Sequence, residues 1–475
     1  MNKAEKQNGY TKLVKNTAIF AIGSFGSKVL SFLIVPLYTY VLSTEEYGRI
    51  DLFTTAISLV LPFVTLLIQE ALLRFLMGKE VSETVAINNC FAIFLIGSTV
   101  SVLLSPIFSA LFKLGEYLWL FIVILVLNAF TQIFSQYFRA VGRNIAFTIN
   151  GIIVTVTLLS SNVLFLVGLK LGMRGYYYAM LLSQIASTCH IVISGRILTE
   201  LSPRAIDAHK LKEMLKFSIP LIPNTLMWWI MSAGDKYIIN YYLGDSANGI
   251  YSLSLKVPTV ISLIYTIFYQ AWQMSAIEAQ NEENKKSFYS NVFMVTNALL
   301  SMLIVIVISV VKPVYVFAMS QKFESAWMYV PLLSIATFFS CCGSFFGVVY
   351  TVSKKSYMAF FTTAVGAIVN LTFNFLLVKR LGLYGIAIGT TIGYVAVTLM
   401  RVKDAKREIG MSFDVIRTLL MASIIICQAI LTTVFNGYEI YAFGLIAFTA
   451  VILLYRHETK DILRIFADKL RKKQM

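Results

Sequence analysis

The chain has 475 residues, of which 58% are hydrophobic and only 13% are charged. A soluble globular protein does not carry so few charges, so the composition indicates an integral membrane protein. The 40 Lys and Arg exceed the 24 Asp and Glu and give a formal net charge of +16. That excess alone would suit nucleic-acid binding, which the placement of the cations along the chain excludes.

Apolar stretches of about 20 residues, the length that a membrane-spanning helix needs, follow one another along the chain. We predict about fourteen spans and therefore an all-α polytopic membrane protein. Their bounds are 13–41, 50–77, 85–112, 117–138, 145–169, 175–196, 217–243, 250–276, 288–311, 325–350, 357–378, 384–400, 413–435 and 438–455. The first span is too long for a signal peptide and lacks a small-residue cleavage site, so we expect it to remain in the mature protein.

The Lys and Arg residues fall mostly on one side of the membrane. An even number of spans puts both termini on the same side, and the gaps on that side hold most of the cations. The opposite gaps hold only Arg49, Lys113, Lys170, Arg174, Lys312, Lys322, Lys379 and Arg380. Because cytoplasmic loops are rich in Lys and Arg, we predict that both termini are cytoplasmic. The charge therefore reports topology, and we expect no nucleic-acid partner.

Two short patterns recur along the chain. Lys15, Leu42 and Gly48 recur as Lys216, Leu243 and Gly249, and the sequence 171–175 recurs as 381–385. The similar offsets predict a duplication of about six helices in one orientation, and hence two six-helix bundles around a central cavity. The predicted domains are an N-terminal bundle (1–196), a solvated cytoplasmic linker (197–216), a C-terminal bundle (217–405), two additional spans (406–456) and a basic cytoplasmic tail (457–475).

Ionisable residues lie inside several predicted spans. A charge in the hydrocarbon costs at least roughly 2.5 to 3.5 kcal/mol on insertion scales, so such residues normally face a bundle interior or a wet cavity. Asp235 and Lys256 flank a predicted turn at nearly equal distances, so we expect them to pair. Glu70 and Arg74 can pair at i, i+4 spacing.

We predict one cavity lined by these groups. Its residues are Lys28, Glu70, Arg74, Asp235, Lys236 and Lys256. Four cations against two carboxylates favour an anionic substrate. Lys236, Lys256 and Arg74 lie close enough to a membrane face for snorkelling to be the alternative, whereas Lys28 lies deepest.

Motifs of other functional classes are absent. The sequence has no G-x-x-x-x-G-K-[ST] phosphate-binding loop and no outer loop long enough for the catalytic loop of a membrane glycosyltransferase. The five cysteines, which we interpret as small core residues without metal-binding spacing, are Cys90, Cys189, Cys341, Cys342 and Cys427. We expect neither an enzyme nor a cofactor or metal site.

Five segments of the chain carry a family resemblance. They are Ser-Thr-Glu-Glu-Tyr-Gly-Arg (43–49), Ala-Leu-Leu-Arg-Phe (71–75), Tyr-Phe-Arg-Ala-Val-Gly-Arg (137–143), Gly-Asp-Lys-Tyr-Ile-Ile (234–239) and Asn-Gly-Ile-Tyr-Ser-Leu-Ser-Leu-Lys (248–256). In this order they resemble the polysaccharide-export flippases of the multidrug, oligosaccharidyl-lipid and polysaccharide (MOP) exporter superfamily. Many relatives have Arg after the Asp of the fourth segment, whereas Lys236 offers a point charge instead of a bidentate fork.

This resemblance implies two six-helix bundles plus two helices, and translocation of undecaprenyl-diphosphate-linked oligosaccharide units across the bacterial cytoplasmic membrane by alternating access. The product would be O-antigen, capsule or exopolysaccharide. Membrane lipids, a polysaccharide polymerase and its chain-length machinery are the implied partners, and a coupling cation, H⁺ or Na⁺, is left open. A lipid II flippase and a MATE-type drug or cation antiporter are the alternatives, and the cationic cavity argues against the antiporter.

The topology can be tested by thiol labelling. In a background without the native cysteines, Asp245→Cys and Glu439→Cys should react with a membrane-impermeant reagent added outside intact cells. Arg204→Cys should react only after permeabilisation. Labelling of Arg204→Cys from outside would contradict the predicted orientation.

Overall fold

The computed structural model describes residues 32–278, 285–353, 355–412, 414–435 and 437–456, which are helical with short connections and contain no strand. The α-helices are α1 (Val35–Val41), α2 (Thr44–Thr65), α3 (Ile68–Met77), α4 (Glu83–Leu103), α5 (Ser105–Phe112), α6 (Leu118–Ala140), α7 (Asn144–Asn162), α8 (Gly172–Gly195), α9 (Ala208–Ser218), α10 (Ile222–Ala233), α11 (Asp235–Ser254), α12 (Lys256–Glu278), α13 (Lys285–Ala318), α14 (Val330–Val352), α15 (Ser356–Ile409), α16 (Val415–Val434) and α17 (Glu439–Leu454). The predicted all-α class is confirmed.

Within the described ranges, ten helical segments are long and apolar enough to cross a membrane. Two of them, Ala208–Ile277 and Tyr357–Ile409, each contain two of the predicted spans, and α17 is a shorter apolar helix. Most of the first predicted span lies outside the described residues, as do Lys28 and the basic tail 457–475. The chain is therefore an integral membrane protein with many spans.

Several predicted spans are broken helices. Leu66 and Leu67 have positive φ (48° and 52°) and separate α2 from α3, and a 3₁₀ turn at Ile219–Leu221 that contains Pro220 precedes α10. Gly172 and Gly382 occupy the left-handed region with φ of 54° and 56°. These two glycines are equivalent in the predicted duplication and share a positive φ, and the non-helical backbone at Gly382 bends α15.

The chain forms two compact units, Met1–Leu226 (unit 1) and Met227–Met475 (unit 2). The core of unit 1 joins α3, α4, α6 and α9 through apolar side chains such as Leu72, Phe134 and Met214. A capping box starts α2: the Ser43 hydroxyl accepts from the Glu46 amide at 3.1 Å, and the Glu46 carboxylate accepts from the Ser43 amide at 2.9 Å. The motif 43–49 is thus first of all a helix start.

The core of unit 2 joins α12, α13, α14, α16 and α17. Trp272 stacks on Phe345 with ring centroids 4.4 Å apart and an interplanar angle of 6°. Three of the five cysteines are buried as predicted, but Cys189 and Cys427 lie on exposed helix faces. For those two, the interpretation as core residues was wrong, because an apolar neighbourhood in the sequence of a membrane helix does not separate core-facing from lipid-facing positions.

The predicted solvated linker is packed on unit 1. Two consecutive asparagines of α4, both buried, hold its backbone. Asn88 donates to the Glu200 carbonyl at 2.8 Å and accepts from the Ser202 amide at 2.7 Å. Asn89 accepts from the Asp207 amide at 3.1 Å and donates to the Asp207 carbonyl at 3.2 Å. We predicted a solvated linker because of its charged residues, and the structure adds that its backbone is bound by asparagines that lie far away in sequence.

This asparagine clamp can be tested by proteolysis. Asn89→Leu removes both hydrogen bonds to the Asp207 backbone, each of which contributes about 0.5 to 1.5 kcal/mol. Trypsin should therefore cleave the purified protein after the exposed Arg204 faster than in the wild type. Asn291→Leu, at an exposed position of α13, is the matched control. Equal cleavage in all three proteins would contradict the clamp.

Candidate functional site

A buried carboxylate lies in unit 2, where α10 gives way to α11. Asp235 is only 4% exposed and accepts hydrogen bonds from neutral donors on three sides. The Asn374 amide lies 2.7 Å from Oδ1, and the hydroxyls of Thr390 and Tyr251 lie 2.5 Å and 3.2 Å from Oδ2. We call these four residues the Asp235 nest. A carboxylate in a membrane helix needs such donors because lipid offers none.

Close packing within α15 brings the nest together. The bend at Gly382 folds the two halves of α15 against each other, and Gly385, Gly389 and Gly393 recur every four residues on the second half. A Cβ at Gly393 would come within 2.7 Å of the Asn370 Cβ, and one at Gly389 would overlap Asn374. Such small-residue spacing lets membrane helices approach to backbone contact. Asn374 and Thr390 can therefore reach the same carboxylate.

The predicted ion pair between Asp235 and Lys256 is not formed in the described structure. No ion pair of 4.0 Å or less joins them, and the Asp235 oxygens accept from the nest donors instead. Lys236 and Lys256 are both half-buried, at the starts of α11 and α12. Sequence counting placed Asp235 and Lys256 at one depth, but the second half of α15 supplies the partners, and a count along one hairpin cannot detect it.

The Glu70–Arg74 pair is likewise absent from the ion pairs of the described residues. Both side chains are exposed on α3, and the Arg74 guanidinium lies over the Phe217 ring, 4.4 Å from its centroid. Phe217 belongs to α9, so this cation–π contact links α3 to the packed linker. Glu70 and Arg74 lie in unit 1, whereas Asp235, Lys236 and Lys256 lie in unit 2. Their common role in substrate binding stays a prediction, as does that of Lys28, which is outside the described residues.

Sequence reasoning missed a buried cation, Arg401, which is 3% exposed. Its guanidinium donates to the Thr362 and Thr363 hydroxyls at 3.1 and 2.9 Å. It also donates to the carbonyls of Gly343, at 2.9 Å, and Ala359, at 3.4 Å. We predicted that the span ends at 400 and leaves this arginine in the cytoplasm. The helix instead continues to Ile409.

A pattern in the sequence could have revealed the helix contact that surrounds Asp235. Asn370 and Asn374 stand four residues apart, and the glycines 385, 389 and 393 share that spacing. Each set lies on one face of its own half of α15. Polar or small residues on one face of a span indicate a helix–helix contact. The search for ionisable residues alone passed over them because they carry no charge.

Comparison with known proteins gives a consistent result. The sequence model of the family described as "Polysaccharide biosynthesis protein" matches residues 13–273. Lsg locus protein 1 of Haemophilus influenzae is 23% identical over 348 residues, which cover 69% of this chain and 81% of that protein. The lipid II flippase MurJ in an inward closed conformation superposes with a TM-score of 0.70 at 15% identity, covering 95% of this chain and 100% of MurJ. An inward-facing MATE multidrug transporter of the MOP superfamily gives 0.66 at 15% identity, over 81% of this chain and 96% of that one.

The nest predicts how Asp235 and Lys256 combine in a double-mutant cycle. Asp235→Asn replaces one acceptor oxygen with an NH2 donor that faces the donors of the nest, and should lower the unfolding free energy by about 1 to 3 kcal/mol. Lys256→Gln should have a smaller effect, and because the two residues share no contact, the double variant should show the sum of the single effects. Thermal melting of the purified variants measures this. A double variant more stable than Asp235→Asn would restore the ion pair.

Proposed function

This chain belongs to the polysaccharide biosynthesis protein family of the MOP superfamily, and from that premise we propose that it flips undecaprenyl-diphosphate-linked oligosaccharide units across the bacterial cytoplasmic membrane. The units would serve the assembly of O-antigen, capsule or exopolysaccharide. Two solved structures of the same fold are a lipid II flippase and a multidrug transporter, which supports transport instead of catalysis.

The observation that carries the proposal is the way in which Asp235 is satisfied. Neutral donors occupy its oxygens, and no ion pair of 4.0 Å or less joins it to Lys256. The half-buried Lys256 therefore keeps its positive charge at the start of α12, and Lys236, also half-buried, stands at the start of α11. A diphosphate carries compact negative charge, and lysine ammonium groups bind it as point charges. Lys28 would add a third cation from the first span.

The rest of the substrate fixes the mode of transport. Sugars cannot cross hydrocarbon unaided because their hydroxyls would lose hydrogen bonds, at several kcal/mol for each stranded group. The polyprenyl tail is itself lipid and does not need to leave the bilayer. We therefore expect alternating access: the protein shelters the diphosphate and sugars while the tail remains among membrane lipids. Both termini would be cytoplasmic, and a polymerase with its chain-length machinery would receive the product.

The Asp235 nest is where a coupling cation would bind. Asp235, Asn374 and Thr390 offer oxygen atoms, and the Asn374 Oδ1 is buried without a hydrogen-bond partner. Among the described residues no three His, Cys, Asp or Glu cluster as a metal site. One carboxylate among neutral oxygens suits H⁺ or Na⁺ better than a divalent ion, which prefers several carboxylates.

Two alternatives remain testable beside this one. A lipid II flippase would take a substrate with the same diphosphate lipid, and the MurJ fold match favours it. A drug or cation antiporter would use the buried Asp235 as its acid, as the MATE fold match suggests. Labelled oligosaccharide lipid, lipid II and ethidium, offered separately to the same vesicles, distinguish the three.

Flipping in reconstituted vesicles tests the role of the cations. Lys28→Gln, Lys236→Gln and Lys256→Gln should each slow flipping of undecaprenyl-diphosphate oligosaccharide by about tenfold or more, since a charged hydrogen bond is worth about 1.5 to 3 kcal/mol. The corresponding Lys→Arg changes should keep part of the rate because they retain the charge. Lys79→Gln, at an exposed lysine after α3, is the control. Full flipping by all three Gln variants would refute the proposed diphosphate binding.

A further inference from the structure

The second half of α15 carries a polar stripe that begins at the Asp235 nest. Thr390, Tyr394, Thr398, Arg401 and Asp404 follow one another at spacings of four or three residues, so they share one helix face. All but the half-buried Tyr394 are less than 9% exposed. The stripe runs from Asp235 toward the end of α15 at Ile409, which the predicted topology places in the cytoplasm.

Each member of the stripe below Thr390 contacts a neighbouring helix. The Tyr394 hydroxyl donates to the Met231 carbonyl at 3.4 Å, and the Thr398 hydroxyl donates to the Phe339 carbonyl at 2.8 Å. A small apolar cluster of Met231, Ala367 and Val397 packs beside Tyr394. The stripe thus offers a polar route from the nest along α15, and this apolar cluster borders the route at Tyr394.

Arg401 lies on this route, and its charge has no direct counter-ion. Within the described residues its donors all meet hydroxyls or carbonyls, and no carboxylate lies within 4.0 Å. Asp404 accepts from the Tyr350 hydroxyl at 2.6 Å and pairs with Arg407 at 3.4 Å. Glu408 pairs with Lys355 and Arg407. The carboxylates at this end of α15 are therefore engaged elsewhere.

Aromatic rings and a glycine surround the Arg401 guanidinium and hold it in place. Its Cζ lies 5.8 Å from the ring centroid of Trp228 and 5.9 Å from that of Tyr350. A Cβ at Gly347 would come within 2.7 Å of the Arg401 Nη1, so α14 leaves space for the head group there. Four hydrogen bonds to neutral groups fix its position without cancelling its charge. A contact needed only to join helices would not require a charge, which is expensive in a membrane span.

We propose that Arg401 is an electrostatic barrier that keeps the cation bound at Asp235 from escaping along the polar stripe to the cytoplasmic end of α15. A fixed positive charge repels H⁺ and Na⁺ strongly at close range in a medium of low dielectric constant. Without such a barrier, the ion gradient would dissipate through unit 2 while no substrate moved. The inference rests on the proposed coupling cation at Asp235.

Ion flux through the purified full-length protein tests the barrier. Proteoliposomes without substrate are given an inward Na⁺ gradient or a proton gradient, and uptake is followed with ²²Na⁺ or with a pH-sensitive dye. Arg401→Gln should raise the flux of at least one of these ions by about tenfold or more, because the charge is gone while a hydrogen-bonding side chain remains. Arg401→Lys should stay near the wild type because it keeps the charge.

A double variant separates a leak through the stripe from a damaged protein. Arg401→Gln combined with Asp235→Asn should return to the wild-type flux, since the leak would pass through the nest. Elution volume and melting temperature establish that each variant is folded. The proposal is overturned if folded Arg401→Gln does not leak, if Arg401→Lys leaks as much, or if the double variant still leaks.

The same vesicles distinguish failure of the Arg401 barrier from failure of the proposed flippase function. Wild-type protein is tested there for flipping of labelled undecaprenyl-diphosphate oligosaccharide, with and without the ion gradient. Absence of flipping would count against the proposed function. Gradient-driven flipping by the wild type together with no leak in Arg401→Gln would count against the barrier alone.

Discussion

A buried carboxylate in a membrane helix must find its hydrogen-bond donors within the protein, and this constraint organises unit 2. Asp235 draws Asn374 from the first half of α15 and Thr390 from the second. The two halves can meet there only because glycines at 389 and 393 let their backbones approach. Three features therefore act together to bring donors to the Asp235 carboxylate: the bend at Gly382, the glycine spacing and the position of α11.

Neutral polar groups, and not the ion pairs that we predicted, form the hydrogen bonds to the buried charged side chains. Asp235 is satisfied by an amide and two hydroxyls, and Arg401 by two hydroxyls and two carbonyls. An ion pair cancels both charges, whereas neutral partners hold a charge in place and leave its field intact. The second arrangement suits the proposed transport of a diphosphate lipid, because neutral partners do not cancel the buried charges.

The sequence was sufficient for properties that depend on composition and spacing. Apolar runs predicted the all-α membrane fold, and the recurrent segments 171–175 and 381–385 each contain a glycine with positive φ, Gly172 and Gly382. The partners of Asp235 and of Glu70 could not be predicted, because they depend on which helices touch. Arg401 was misassigned for a related reason: its charge suggested a loop, and only the packing of α14 against α15 shows that the helix continues and buries it.

The asparagine clamp of α4 also bears on how this protein can be divided or labelled. Residues 200–207 have the appearance of a tolerant loop, yet their backbone is bound by two buried side chains. A fluorescent protein or an epitope inserted there would pull Glu200, Ser202 and Asp207 away from Asn88 and Asn89, and would disturb the core of the first unit. A design that splits the chain into two co-expressed halves should therefore leave this segment and α9 with the N-terminal half.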